Sequence, residues 1–313
     1  MEHYSHRPRY DEARLVRYFN SVHLPTDKIP DWHGSPERAV VELRTIQQHQ
    51  LATVPFENLS LHYSPHHSVD LHPDFLYDKI VNKGRGGYCM ENNCFFGTVL
   101  RSLGFKVYSA GARVHEGSGI YTPWSHMINI ITLANGERYL IDVGFGNNGP
   151  TCPLLLIDGY EAQSIAPASM RLVCEKIPAT FNPHDRLWIY QHRISPASDW
   201  EPMYCFTETE FLPRDFEMMN FWTSQSRKSL FTNCIMCVRK IMDERSHELV
   251  GTLILTGAEV KRRVGEKTEH LKTCKTEEDR VEVLENMFGV KLTNEEKSAI
   301  GGLVTQLPTM AYG

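Results

Sequence analysis

The run Ser125-His126-Met127-Ile128-Asn129-Ile130-Ile131-Thr132-Leu133-Ala134-Asn135-Gly136-Glu137-Arg138-Tyr139-Leu140-Ile141-Asp142 reads as two strands joined by a short turn. Asn-Gly between β-rich runs is a strong hairpin signal. Side chains alternate between the faces of a strand, so the hairpin register decides where His126 and Asp142 point. A two-residue loop, Asn135-Gly136, sets Asp142 opposite Asn129 and puts His126 and Asp142 on opposite sides of the sheet. A three-residue loop, 134–136, sets Asp142 opposite Ile128, on the side of His126 and one diagonal away, roughly 7–8 Å. Such a loop favours a left-handed glycine at its last position, which Gly136 supplies. A working His126–Asp142 pair therefore requires the three-residue loop. The other reading is a buried, satisfied imidazole and a turn-forming aspartate before Gly144.

Outward from the hairpin the pattern changes on both sides. Residues before Gly104 read as helical. Leu15, Tyr18, Phe19 and Val22 recur at helical spacing, as do Val40, Leu43 and Ile46 after the Ser35-Pro36 start signal. Phe75, Leu76, Ile80 and Val81 suggest a short helix. Phe96, Val99, Leu100 and Leu103 form the stripe of another, which starts near Cys89 and closes at Gly104. Strands are expected at 105–115, 170–174, 187–194 and 203–207, so the middle third is an antiparallel barrel or sandwich. The last third is mixed, with strands at 234–241 and 248–256. Capping boxes begin at Thr276 (Asp279 in the Glu position) and Thr293, and Gly289 ends the helix between them. The expected division is 1–105, 106–215 and 216–313.

The chain has 313 residues, 33 Lys+Arg against 38 Asp+Glu, and a net charge of -5, so no basic excess points to nucleic acid or an anionic membrane. No apolar run approaches the roughly 18 residues of a membrane helix. The stretch 1–10 is polar and contains a proline, with no signal-peptide core, and a cytoplasmic address is expected. In a reducing compartment the eight cysteines are thiols.

One of them stands apart. In Lys83-Gly84-Arg85-Gly86-Gly87-Tyr88-Cys89-Met90-Glu91-Asn92-Asn93, Cys89 follows a glycine-rich turn and opens a helix. Free backbone N–H groups and the helix dipole favour a thiolate there, and a thiolate is a nucleophile. The local pattern is equally that of a small apolar residue at a helix start. A nucleophilic cysteine needs a base, and the base an orienting partner. Among fifteen histidines His126 is best placed, with Asp142 as its partner.

Taken together, Arg85-Gly86-Gly87-Tyr88-Cys89, Ser125-His126 and Asp142-Val143-Gly144-Phe145-Gly146 resemble the three motifs of the arylamine N-acetyltransferases. Val54-Pro55-Phe56-Glu57-Asn58-Leu59 resembles that family's early motif. Glu217-Met218-Met219-Asn220 and the Ser-rich stretch to Phe231 resemble its third-domain entry. The resemblance spans nearly the whole chain in order. It implies an α+β multidomain fold of N-terminal helical bundle, central antiparallel β-barrel and C-terminal α/β lid, with a cysteine-protease-like catalytic core. It implies transfer of an acyl group from acyl-CoA to an aromatic amine, hydroxylamine or hydrazine by ping-pong kinetics. Cys89 is then the acylated nucleophile, His126 the base and Asp142 the orienter. Arg85 and Glu57 brace the catalytic loop, and Phe56 and Phe145 wall the amine pocket. Tyr121, Thr122, Gly144, Trp222, Ser229 and Phe231 line the CoA channel. No tightly bound cofactor, metal, nucleic acid or membrane is implied, and a monomer is plausible.

The chain departs from the family where Thr-Ser-Pro often stands: it reads Thr223-Ser224-Gln225-Ser226-Arg227-Lys228-Ser229. Arg227 and Lys228 suit CoA phosphates, a carboxylate on the acyl group, or a solvated loop. Some fungal members prefer malonyl-CoA, so the donor stays open between acetyl and malonyl. Cys234-Ile235-Met236-Cys237 lacks the partners of a zinc site. His62, His66, His67 and His72 read as a solvated loop. Two further functions share the constellation: a cysteine hydrolase with the same triad, and a binding protein with an inert Cys89.

Overall fold

In the computed structural model of the chain, residues 7–24 and 35–308 are described; the first six residues of the polar stretch 1–10 lie outside them. Four helices make up most of the first third. α1 (Glu12–Ser21) starts at Asp11, whose carboxylate accepts from the Arg14 N–H at 2.8 Å. α2 (Pro36–Thr53) has Ser35 as its cap and Pro36 in its first turn. α3 (Pro73–Tyr77) runs into a π-turn at Asp78–Asn82, and α4 (Cys89–Ser102) follows. Gly104 sits at φ +93°, so the expected left-handed stop is present. The helices pack through Tyr18, Phe19, Leu43, Ile46, Leu76, Phe95, Phe96 and Val99, all fully buried. Each such side chain contributes roughly 1.5–3 kcal/mol by leaving water.

The second region is antiparallel. Its strands are β2 (Lys106–Gly117), β3 (Ile120–Tyr121), β4 (His126–Thr132), β5 (Arg138–Ile141), β6 (Leu154–Leu155), β7 (Glu161–Gln163), β8 (Ser169–Glu175), β9 (Leu187–Arg193) and β10 (Glu201–Glu210). They are ordered β6-β5-β4-β2-β10-β9-β8-β7, with β3 on β2. The edge strands β6 and β7 follow one another in the chain, so the sheet curls into a nearly closed barrel. Its interior holds Ala112, Ile128, Ile130, Leu140, Leu172, Tyr190 and Phe206. In the β4–β5 hairpin Thr132 pairs with Arg138 and Asn129 with Ile141. The loop is therefore 134–136, with Gly136 at φ +85°. This is the register that a His126–Asp142 pair requires. The outer face of β4 meets α4, and a Cβ at Gly97 would lie 2.8 Å from the Asn129 Oδ1. Glycine thus sets the close approach of helix to strand.

The third region contains α5 (Pro213–Gln225), α6 (Leu230–Asn233), β11 (Met236–Met242), β12 (Leu249–Thr256), β13 (Glu259–Val264), β14 (Lys267–Thr273), α7 (Glu277–Phe288) and α8 (Asn294–Ala299). Both expected capping boxes form, and Gly289 at φ +74° ends α7. Sequence patterning does not show β13 and β14 because Lys261, Arg262, Arg263, Lys267 and Glu269 obscure any apolar alternation; β14 is the edge of this sheet, where charges such as Lys267 and Glu269 are favoured. It also missed β1 (Phe56–Glu57), which joins this sheet at the edge of β11 from 180 residues away, pairing Glu57 with Cys237.

One expectation is corrected. His62 does not lie in a solvated loop: it is buried, within 3.0 Å of both the Phe231 carbonyl and the Thr305 hydroxyl. His66 and His72 are exposed. All eight cysteines are free thiols. Among the described residues no helix is long and apolar enough to cross a membrane, and no group of His, Cys, Asp and Glu could hold a metal ion.

Candidate active site

Cys89 is the first residue of α4, with Tyr88 as the cap and the Tyr88 N–H donating to the Glu91 carboxylate at 3.1 Å. The loop before it lies hard against its surroundings. A Cβ at Gly86 would fall 1.8 Å from the Pro55 carbonyl oxygen, and one at Gly144 would fall 2.7 Å from the Cys89 Cα. Only glycine allows these approaches. Glu57, fully buried, accepts from Arg85 Nε at 3.2 Å and from the Gly86 N–H at 3.3 Å. Arg85 continues to Glu296 of α8 at 2.9 Å, and Lys79 pairs with Glu91 at 2.5 Å. Burial works against the Glu57 carboxylate, but Arg85 and Lys79 outweigh it and hold its pKa below the usual range. Burial dominates at Glu91 and raises it. Sequence reading found Arg85 and Glu57 but not Lys79, Glu91 or Glu296, which belong to the same network.

At the end of the barrel the His126 Nε2 lies 2.8 Å from the Asp142 Oδ2, with both residues buried. The other carboxylate oxygen accepts from the Asn93 amide and from the Gly144 N–H, each at 2.8 Å. Asn93 also donates to the Met127 carbonyl at 2.6 Å and accepts from the Val143 N–H at 3.0 Å. It therefore joins α4, β4 and the Asp142 loop through one amide. In the sequence alone, the only signal for Asn93 is a polar residue one helical turn after Cys89. Burial disfavours imidazolium, but the Asp142 charge, its hydrogen bond and a hydrogen bond with Cys89 prevail, pushing His126 up to about 10. Asp142 is held below the usual carboxylate range: burial opposes its charge, and the charge and hydrogen bond of His126 overcome that. With Nε2 on Asp142, the other ring nitrogen is free for the thiol, whose Sγ also lies 3.5 Å from the Ser125 carbonyl.

Cys89 and His126 open into one pocket of about 370 Å³. Phe56, Thr122, Gly144, Phe145, Trp222, Ser229 and Phe231, all singled out in the sequence, line it. Tyr121 does not; its ring packs on His115 at 5.0 Å. Lys228 and Thr223 also reach the wall. The buried Thr223 hydroxyl has no hydrogen-bond partner, and Lys228 is exposed and makes no ion pair among the described residues. A nucleophile, a paired base and an apolar pocket open at one side suit acyl transfer.

A family model described as N-acetyltransferase matches residues 39–297. The chain belongs to the arylamine N-acetyltransferase family. Relatives within and around this family are informative. The chain is 40% identical to an N-malonyltransferase FDB2 of Gibberella moniliformis, over 95% of this chain and 93% of the relative. It is 29% identical to arylamine N-acetyltransferase 1 of Homo sapiens, over 80% and 87%. The arylamine N-acetyltransferase of Salmonella typhimurium superposes with a TM-score of 0.77 at 26% identity, covering 93% of this chain and 98% of that one. The arylamine N-acetyltransferase fold, α+β with a cysteine-protease-like core, is thus shared, and the chain is an acyltransferase.

Proposed function

We propose that this acyltransferase moves an acyl group from acyl-CoA to an aromatic amine, hydroxylamine or hydrazine through an acyl-Cys89 intermediate. The observation that carries the reading is the 2.8 Å His126–Asp142 pair opening with Cys89 into one pocket. In the first half-reaction the Cys89 thiolate attacks the thioester carbonyl. The C–S bond to CoA breaks, and the leaving thiolate takes the proton from the His126 imidazolium. In the second, the amine nitrogen attacks acyl-Cys89 while neutral His126 accepts its proton. Collapse releases the amide and restores the thiolate–imidazolium pair. Asp142 holds the ring and its charge, Asn93 holds Asp142, and Arg85 with Glu57 braces the loop. Phe56 and Phe145 wall the amine site. Thr122, Gly144, Trp222, Ser229 and Phe231 line the CoA path, and the division at 105 and 215 separates the parts that meet there.

Incubation with malonyl-CoA, and separately acetyl-CoA, is expected to add one acyl group to the intact mass, discharged by 2-aminophenol. Cys89→Ala is expected to fold and gain nothing. Peptide cleavage without acyl gain would point instead to a hydrolase, and full transfer by Cys89→Ala would remove Cys89 from the chemistry.

Malonyl is the donor we favour. Relatives at 38% and 40% identity are named N-malonyltransferases, and the pocket wall carries both Lys228, which makes no ion pair among the described residues, and the unpartnered Thr223 hydroxyl. A charge-assisted hydrogen bond to a carboxylate is worth about 1.5–3 kcal/mol, roughly ten-fold or more in rate. Lys228→Gln is therefore expected to lower kcat/KM for malonyl-CoA by about ten-fold while changing acetyl-CoA less than about two-fold. An equal loss with both donors would place Lys228 on the CoA moiety instead.

A further inference from the structure

Four consecutive residues of α2, Gln47, Gln48, His49 and Gln50, are polar and buried. Two of them serve the helical core: Gln50 accepts from the Tyr18 hydroxyl at 2.9 Å, and the His49 ring donates to the Val22 carbonyl at 2.9 Å. Gln47 faces elsewhere. It is fully buried, and its amide nitrogen donates to two distant backbone carbonyls, Asp142 at 3.2 Å and Pro150 at 3.3 Å. Its own amide oxygen is buried without a partner. An unpaired buried acceptor is costly. A leucine would fill the same space without that cost, so the two bonds are what only the amide supplies.

Those bonds staple the two ends of one loop. It carries Asp142 at its start, then Gly144 and Phe145 of the pocket wall. Its middle is tied as well: Lys240 of β11 donates to the Asn147 carbonyl, and the Tyr190 hydroxyl of β9 to the Asn148 carbonyl at 2.8 Å. The near end has a second tie, because Asn93 donates to the Asp142 carboxylate and accepts from the Val143 N–H. The far end has none: among the described residues the Pro150 carbonyl accepts from Gln47 alone. That end bears on Phe145. The chain turns back on itself, and a Cβ at Gly149 would fall 3.0 Å from the Phe145 Cβ. The Phe145 ring in turn stands 5.3 Å from the His126 ring.

We infer that Gln47 is a positioning residue for the acceptor site: through Pro150 and Gly149 it fixes the Phe145 wall beside His126. The inference rests on the reading in which acylation of Cys89 is followed by attack of an amine. In that ping-pong scheme kcat/KM for the donor reports the first half-reaction and kcat/KM for the amine reports the second. Asn93 holds Asp142 on its own account. Loss of Gln47 therefore leaves the His126–Asp142 pair and acylation in place, and displaces the wall that the amine meets.

The test is steady-state kinetics of the full chain with 2-aminophenol and with malonyl-CoA or acetyl-CoA, whichever acylates the native protein faster, beside acylation followed by intact mass. Gln47→Met keeps the side-chain volume and removes the amide. It is expected to lower kcat/KM for 2-aminophenol about ten-fold, the scale of a small misplacement in a reacting pair. The same variant should change kcat/KM for the donor less than about two-fold and leave its pH profile native. Tyr190→Phe deletes only the hydroxyl that holds Asn148. It is expected to give the same split at about three-fold, and it carries the test if Gln47→Met does not fold. Equal losses in both ratios, a shifted pH profile for acylation, or native values for both would overturn the assignment. A native protein that gains no acyl mass would overturn the functional reading beneath it as well.

Discussion

At the residue scale the chemistry turns on His126. Its ring is buried against the rings of Tyr204 at 4.9 Å and Phe145 at 5.3 Å, an apolar environment that would ordinarily keep imidazole neutral. The Asp142 carboxylate reverses that, and Asn93 and the Gly144 N–H keep the carboxylate charged. The pair has a signature in stability. A histidine pKa raised from 6.5 to about 10 on folding means the native state holds the extra proton in that interval. Its contribution is complete below pH 6.5 and is lost as pH rises through about 10. Asp142, lowered on folding, contributes above its unfolded value near 3.8 and loses that contribution as the solution becomes more acid. The Tm difference between the native protein and His126→Gln should therefore narrow from pH 7 to pH 10. A constant gap would show that the ring carries no raised pKa.

At the element scale the hairpin loop sets the active site. Period-two alternation on β4 and β5 made the strands legible, and the three-residue loop ending at left-handed Gly136 puts His126 and Asp142 on one side. Deleting Asn135 converts the loop to two residues and slips the register by one, carrying Asp142 to the opposite face. The deletion variant is expected to lose transfer by at least about 10³-fold, a triad-scale loss, while keeping the far-ultraviolet dichroism of the native barrel. Activity within ten-fold of native would mean the strand absorbs the slip elsewhere. The start of α4 was legible for a related reason: glycine freedom followed by a helix cap is a local signal. α5 was not, because Met218, Phe221 and Trp222 are exposed and break the apolar stripe.

At the scale of the whole molecule the pocket exists because distant segments are tied together. Asn58 does much of this: its amide donates to the carbonyls of Phe231 at 2.8 Å and Cys234 at 2.7 Å, and its oxygen accepts from the Met236 N–H at 2.8 Å. One buried side chain thus sets α6 and β11 against the loop that carries Glu57, and so positions Phe231 in the pocket. Asn58→Ala leaves these groups unpaired. It is expected to cost about 3 kcal/mol in chemical denaturation and to raise the donor KM several-fold with a smaller change in kcat. A drop in kcat at unchanged KM would mean Asn58 acts on the triad rather than on the pocket.

The sequence by itself determined the order of helical, antiparallel and mixed regions, the caps at Thr276 and Thr293, and the candidacy of Cys89, His126 and Asp142. These are carried by periodicity, turn chemistry and motif spacing, all set within a few residues of chain. Only the tertiary structure decided that Asn93 supports Asp142, that β1 joins β11, that Tyr121 stays off the pocket wall, and that Gln47 ties both ends of the 142–150 loop. Those facts depend on contacts between residues up to about 180 positions apart. No local preference encodes them; they follow from which faces must be buried together when the whole chain packs.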